Sequence, residues 1–176
     1  MVYRVLSREE LRLSDWVTLV TKTVKGPAVS GEQVYHSLKL QDYITIIPIT
    51  IDKKILIVEQ YRPALNEETL EFPGGLLENG ETAENAVRRE LIEETGYQVS
   101  GKINKLGVFA TDTGRLENRL HGFFADVKKI KGSLSEQGIK VHAFTASEIL
   151  NLVSSGRFNH ALHISLLGLY LLRLKK

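Results

Sequence analysis

The pattern of apolar and polar positions predicts strands along most of the chain and helices in three places. YITIIPIT (43–50) and KKILIVEQYR (53–62) are rich in β-branched residues and predict two neighbouring strands, with Asp52-Lys53 as the turn. Upstream, DWVTLVTKTVK (15–25) and QVYHSLKL (33–40) flank Gly26-Pro27 and Gly31, which predicts a hairpin or a pair of ladder strands. TLEFPGG (69–75) predicts a further strand that ends in the Pro73-Gly74-Gly75 break. Residues 101–110 and 120–130 predict strands around the polar loop 111–119, and IKVHAFTA (139–146) predicts another. Ala83, Ala86, Val87 and Leu91 recur at helical spacing and predict a helix over 82–95 that stops at Gly96. A second helix is predicted from Ser147 to Val153. HALHISLLGLYLLRLKK (160–176) predicts a third, with a basic tail and an apolar stripe that packs across the sheet.

Length and composition narrow the picture. With 176 residues, 43% of them hydrophobic, one substantial core is feasible, which gives a small β unit over 1–41 and a main domain over 42–176. A short exposed sheet needs pairing or cover, and a second copy of the chain is the expected source. The 23 basic and 21 acidic residues leave a net charge of +2, too small for a nucleic-acid footprint. The chain has no cysteine, which excludes disulfides, Cys-ligated zinc and a cysteine nucleophile. Charges in MVYRVLSREELRL interrupt the apolar segment that a signal peptide needs, and no apolar run elsewhere is long enough to span a bilayer. The expected location is cytoplasmic, with neither membrane nor nucleic acid as partner.

The segment RRELIEE carries the chemistry. Positions i, i+3 and i+4 of a helix are neighbours, so the carboxylates of Glu90, Glu93 and Glu94 come together facing the glycine loop. With Glu81 they are costly to hold together unless a cation neutralises them. Hard oxygen donors at this charge density suit Mg²⁺ or Mn²⁺, with water and a substrate phosphate completing an octahedral shell. A solvated Glu/Arg face would account for the acids alone. It would not account for Pro73-Gly74-Gly75 just upstream, where backbone can approach a metal or a phosphate. His36, His160 and His163 have no carboxylate partner at metal-site spacing, and His121 and His142 fall in strand patterns, so no zinc site is expected.

Gly75, Glu81, Arg89, Glu90, Leu91, Glu93, Glu94, Gly96 and Tyr97 fall at every offset of one known pattern. It runs Gly, five residues, Glu, seven residues, Arg-Glu-aliphatic, one residue, Glu-Glu, one residue, Gly and an aliphatic or aromatic residue. In this the chain resembles the Nudix hydrolases. The resemblance implies an α+β fold, an α/β/α sandwich with a mixed, curled sheet between helices, here preceded by the small antiparallel β unit. It implies Glu90 and Glu94 as principal Mg²⁺ ligands, Glu93 as a further ligand directly or through water, and the Gly74 carbonyl as a completing donor. Arg89 would orient the carboxylates through an ion pair. Glu81 stays open between an outer role toward Arg89 or metal-bound water and a favourable place beside the helix dipole. Such hydrolases split a nucleoside diphosphate linked to another moiety between its phosphates, with water as nucleophile.

VEQYRPALNEETLEFPGGLLENGE resembles, more narrowly, the ADP-ribose pyrophosphatase branch, and the likeness extends loosely over residues 40–150. It implies a nucleoside diphosphate sugar as substrate, ADP-ribose first, giving AMP and ribose 5-phosphate. Arg62 becomes a ligand of the diphosphate, and Glu71 a contact to substrate or to an ordering arginine, against a surface salt bridge for either. The branch implies a homodimer whose amino-terminal strands help bind the nucleobase. Trp16, Tyr35 and Tyr43 are the aromatics at hand for stacking, for core or for interface. A base on a loop before the strand IKVHAF is also implied; Glu136 in GSLSEQGIK is the carboxylate there, with Glu93 as the alternative. One departure stands in FATDTGRLENRL, where Thr113 replaces the expected proline while Gly114 and Glu117 remain. That leaves GDP-mannose or another nucleoside diphosphate sugar open, with Glu117 placed at the sugar or phosphates ahead of Asp112, Arg115, Asn118 and Arg119. A non-catalytic nucleotide-binding domain would be expected to lose its metal carboxylates, and all three are present.

Overall fold

The computed structural model describes residues 2–27 and 31–174. The chain divides into two compact units, Met1–Asp42 with Ala110–Arg119, and Tyr43–Phe109 with Leu120–Lys176.

The first unit holds an antiparallel sheet of β1 (Arg4–Arg12), β2 (Thr18–Lys25) and β3 (Glu32–Lys39), in that order. β2 and β3 form where the sequence predicts them; residues 28–30 of the predicted hairpin bend lie outside the described residues. β1 is an addition to the prediction. All nine of its residues are exposed, so no buried face imprints an alternation on RVLSREELR. It is held by backbone pairing with β2, from Arg4 opposite Lys25 to Arg12 opposite Thr18, with an irregularity between Val5 and Ser7. The polar loop 111–119 belongs to this unit as well. Leu38 N–H donates to the Arg115 carbonyl at 2.7 Å, and Glu117 N–H donates to the Leu38 carbonyl at 3.0 Å.

The second unit is built on β4 (Tyr43–Ile49), which runs parallel to β10 (Arg119–Lys129) and antiparallel to β5 (Ile55–Arg62) and β7 (Gly74–Leu76). β6 (Glu67–Glu71) and β11 (Lys140–Phe144) pair with β5, while β8 (Tyr97–Val99) and β9 (Asn104–Ala110) pair with β10. The predicted strand 69–75 is therefore two strands, parted at Phe72-Pro73 because proline has no N–H to give to a ladder. β8, three residues long, is too short to leave a pattern.

YITIIPIT reads as a near-continuous apolar run, broken only at Thr45 before its closing Thr50, because β4 is covered on both faces. Ile44, Ile46 and, from β5, Leu56 pack on Ala86, Val87 and Leu91 of α1 (Ala83–Thr95). Ile47, Ile49, Ile55 and Ile57 pack on the opposite side, against Ile149 of α2 (Ala146–Ser154) and Leu166, Leu167 and Tyr170 of α3 (Ala161–Leu174). The result is a mixed sheet layered between helices. The tail residues 175–176 lie outside the described residues. Among the described residues, no helix is long and apolar enough to cross a membrane.

Candidate active site

α1 is fixed at both ends before any ligand is considered. The Thr82 hydroxyl accepts the Asn85 N–H at 3.3 Å. Gly96 closes the helix in the left-handed region with φ 67°, its N–H reaching the Ile92 carbonyl at 2.8 Å. Lys129 places its ammonium on the Thr95 carbonyl at 2.9 Å, a cation at the negative end of the helix dipole.

Arg89 gathers the acids. Its Nε and Nη2 grip Glu81 at 3.1 and 2.9 Å, and its Nη1 meets Glu90 at 2.7 Å and Glu93 at 3.3 Å. Nη2 also donates to the Leu76 carbonyl at 3.1 Å, tying the glycine loop to the helix. Three carboxylates thus share one guanidinium. Glu94 has a different partner, the Gly74 N–H, which it accepts at 2.9 Å. The acids also differ in depth: Glu94 is 6% exposed, Glu90 half-buried and Glu93 exposed. Burial pushes the Glu94 carboxyl up to about 8, with the Glu90 charge adding and the Gly74 N–H opposing. Burial also raises Glu90, against the pull of Arg89. A crowded oxygen donor set that resists ionising by itself fits a divalent cation, which would relieve both penalties.

Gly74 and Gly75 form the wall between this cluster and a cavity of about 260 Å³. A β-carbon on Gly75 would run into the Glu90 carboxylate, and one on Gly74 into the Ile44 carbonyl. On its other side the cavity is lined by Tyr43, Arg62, Glu71, His160 and His163. Arg62 is held in a two-pronged pair, Nε and Nη2 each 2.7 Å from a Glu71 oxygen, and the Thr69 hydroxyl donates to Glu71 at 2.6 Å. Burial alone would raise the Glu71 carboxyl, but the bonds from Arg62 and Thr69 outweigh it and hold it at about 2.

The family profile of the NUDIX domain matches residues 39–159. This chain belongs to the Nudix family. An ADP-ribose pyrophosphatase of Bacillus subtilis (strain 168) is 31% identical over 159 residues, covering 86% of this chain and 83% of that protein. A GDP-mannose pyrophosphatase of Escherichia coli O1:K1 / APEC is 27% identical over 178 residues, covering 93% and 92%. The crystal structure of an ADP compounds hydrolase matches with a TM-score of 0.84 at 20% identity, over 99% of this chain and 95% of the other, and so shares its fold.

In this Nudix hydrolase the remaining predicted residues fall in two places. Glu136 stands beside the helix, its N–H on the Glu93 carbonyl at 2.9 Å, and the two line one exposed hollow with Ile92 and Ser133. Glu117 lies in the first unit, where it pairs with Arg8 at 2.9 Å, with Lys22, and with the Ser37 hydroxyl at 2.8 Å. The hydrogen bonds of Arg8 and Lys22 hold its carboxyl at about 2. Trp16 and Tyr35 are exposed, whereas Tyr43 is partly buried at the cavity.

The expectation that His160 and His163 lack a carboxylate partner is corrected by the structure. Ligand atoms of Glu71, His160 and His163 lie within 4.8 Å of one another. Sequence spacing could not reveal this, because the partner comes from β6 and the histidines from the start of α3.

Proposed function

We propose that this enzyme hydrolyses the diphosphate linkage of a nucleoside diphosphate sugar in the presence of Mg²⁺, with ADP-ribose converted to AMP and ribose 5-phosphate. One observation carries the reading: the acid cluster and the Arg62 cavity meet at Gly74-Gly75, so a diphosphate bridging them would have metal donors on one side and a guanidinium on the other. The similarity to an ADP-ribose pyrophosphatase over most of both chains supports the choice of sugar. A second reading, GDP-mannose, is favoured by the relative matched over 93% of this chain and by Thr113 in the loop 111–119.

Glu90 and Glu94, with Glu93 and the Gly74 carbonyl, would hold Mg²⁺, or Mn²⁺ in its place. A bound cation neutralises diphosphate charge and lowers the pKa of bound water. Arg89, itself held by Glu81, keeps Glu90 and Glu93 oriented and offsets part of their negative charge. Arg62, locked by Glu71, presents the remaining Nη1 edge of its guanidinium to phosphate oxygens. Glu136 takes the proton from the attacking water, with Glu93 as the alternative base. Glu117, through its ties to Arg8, Lys22 and Ser37, fixes the loop 111–119. The exposed β1, with Val5 and Leu11 uncovered, supports a homodimer in which the amino-terminal sheet is shared.

Purified protein with Mg²⁺ is incubated separately with ADP-ribose, ADP-glucose, GDP-mannose and NADH, and the products are separated by chromatography. AMP and ribose 5-phosphate formed fastest from ADP-ribose is the expected result. Faster release of GMP from GDP-mannose would replace it with the second reading, and no cleavage of any diphosphate would refute both.

A further inference from the structure

We propose that His160 is a substrate contact of this cavity, its imidazole donating a hydrogen bond to an oxygen of the diphosphate beside Arg62, while His163 holds the ring in place. The inference rests on the reaction proposed above and deepens it, because nothing in the acid cluster accounts for the two histidines.

The protonation of the pair follows from its neighbours. Phe72 N–H donates to Nδ1 of His163 at 3.0 Å, so that nitrogen carries a lone pair and the proton of the neutral ring is on Nε2, 3.4 Å from the Thr45 hydroxyl. Burial lowers His163 to about 3, so the ring is neutral near pH 7. A neutral His163 lets His160 lie flat upon it without like-charge repulsion, and the two rings stack with centroids 3.9 Å apart at 15°. Among the described residues, the buried Nδ1 atom of His160 has no hydrogen-bond partner. An unpaired buried N–H is rarer than an under-used acceptor, so Nδ1 takes the lone pair and Nε2 the proton. The result is a fixed N–H donor in the wall of a cavity that also contains Arg62.

The same groups do not make a metal centre. Both oxygens of Glu71 are taken by Arg62, and both nitrogens of His163 are engaged with Phe72 and Thr45. A cation there would have to displace a guanidinium and then sit beside its charge. An oxyanion gains from the same guanidinium, because Glu71 leaves Nη1 of Arg62 for a ligand.

The test compares wild type with His160→Phe, which keeps an aromatic ring to stack on His163, and with His160→Gln, which restores an N–H donor. With ADP-ribose and Mg²⁺, His160→Phe is expected to raise KM about tenfold or more, leaving kcat within about threefold, as for an interaction present in both ground and transition states. The thermal midpoint stays near wild type, and His160→Gln recovers part of the loss. An unchanged KM in His160→Phe would overturn the proposal. Should no nucleoside diphosphate sugar be cleaved, the reaction above fails but His160 is still decided by calorimetry with ADP: weaker binding to His160→Phe supports the contact, and equal binding refutes it. Titration with Zn²⁺ alone is the last arm, where tight binding lost in His160→Phe would replace the substrate contact with a metal site.

Discussion

Glu94 and Gly75 show how much of the site depends on single atoms. Glu94→Gln leaves an amide oxygen to accept the Gly74 N–H and removes a buried group that resists ionising. Turnover is expected to fall by about three orders of magnitude, with the metal-free thermal midpoint unchanged or higher. Wild-type turnover in that variant would remove Glu94 from the metal site. Gly75→Ala acts on the neighbouring proposed ligand, since its β-carbon would occupy the place of the Glu90 carboxylate. The Mg²⁺ concentration for half-maximal activity should rise about tenfold or more; an unshifted activation curve would mean that Glu90 can swing aside without cost. That Glu90, Glu93 and Glu94 belong together was legible in the sequence, because helical spacing is a local property. Their different depths were not, because those depend on how α1 packs against β4 and β7.

At the scale of elements, α1 carries the proposed metal ligands toward its carboxyl end and its N-cap at Thr82 two turns away from them. Thr82→Ala removes the acceptor for Asn85 N–H and should cost about 1 kcal/mol of stability in urea unfolding, with kcat within about twofold. A kcat that fell in step with stability would show that fraying at the first turn reaches Glu90. Lys129→Met acts at the other end by removing the cation from the Thr95 carbonyl, close to Glu93 and Glu94. The expected result is a loss of about 1 kcal/mol together with weaker Mg²⁺ activation, and a loss of stability alone would confine Lys129 to capping. The elements with a buried face, β4, β5, β10 and the three helices, were readable from pattern. β1 was not, since its residues are exposed and only the ladder with β2 defines it.

Across the whole chain, the decisive meeting is that of Glu71 with His160 and His163, some ninety residues apart in sequence by the Phe72–His163 bond. No local rule pairs such positions, and the sequence accordingly left the histidines without a role. Their burial makes a distinct prediction about pH. His163 titrates near 6.5 when unfolded and at about 3 when folded, so between those values the unfolded chain binds a proton that the folded one refuses. Its contribution to stability is therefore lost as pH falls from 6.5 toward 3. Glu71, lowered from 4.5 to about 2, acts in the same direction, but only below 4.5. Glu94 opposes them in the metal-free protein: raised from 4.5 to about 8, it favours the folded state increasingly as pH falls through that range. From pH 6.5 to 4.5 the effects of His163 and Glu94 offset each other, and the wild-type curve by itself discriminates nothing. The difference between wild type and His163→Asn does, because Glu94 is common to both. That difference in unfolding free energy should be largest at pH 7 and shrink steadily toward pH 4.5. A difference that stayed constant would mean that His163 is not held neutral, and with it would go the stacked pair on which the donor role of His160 depends.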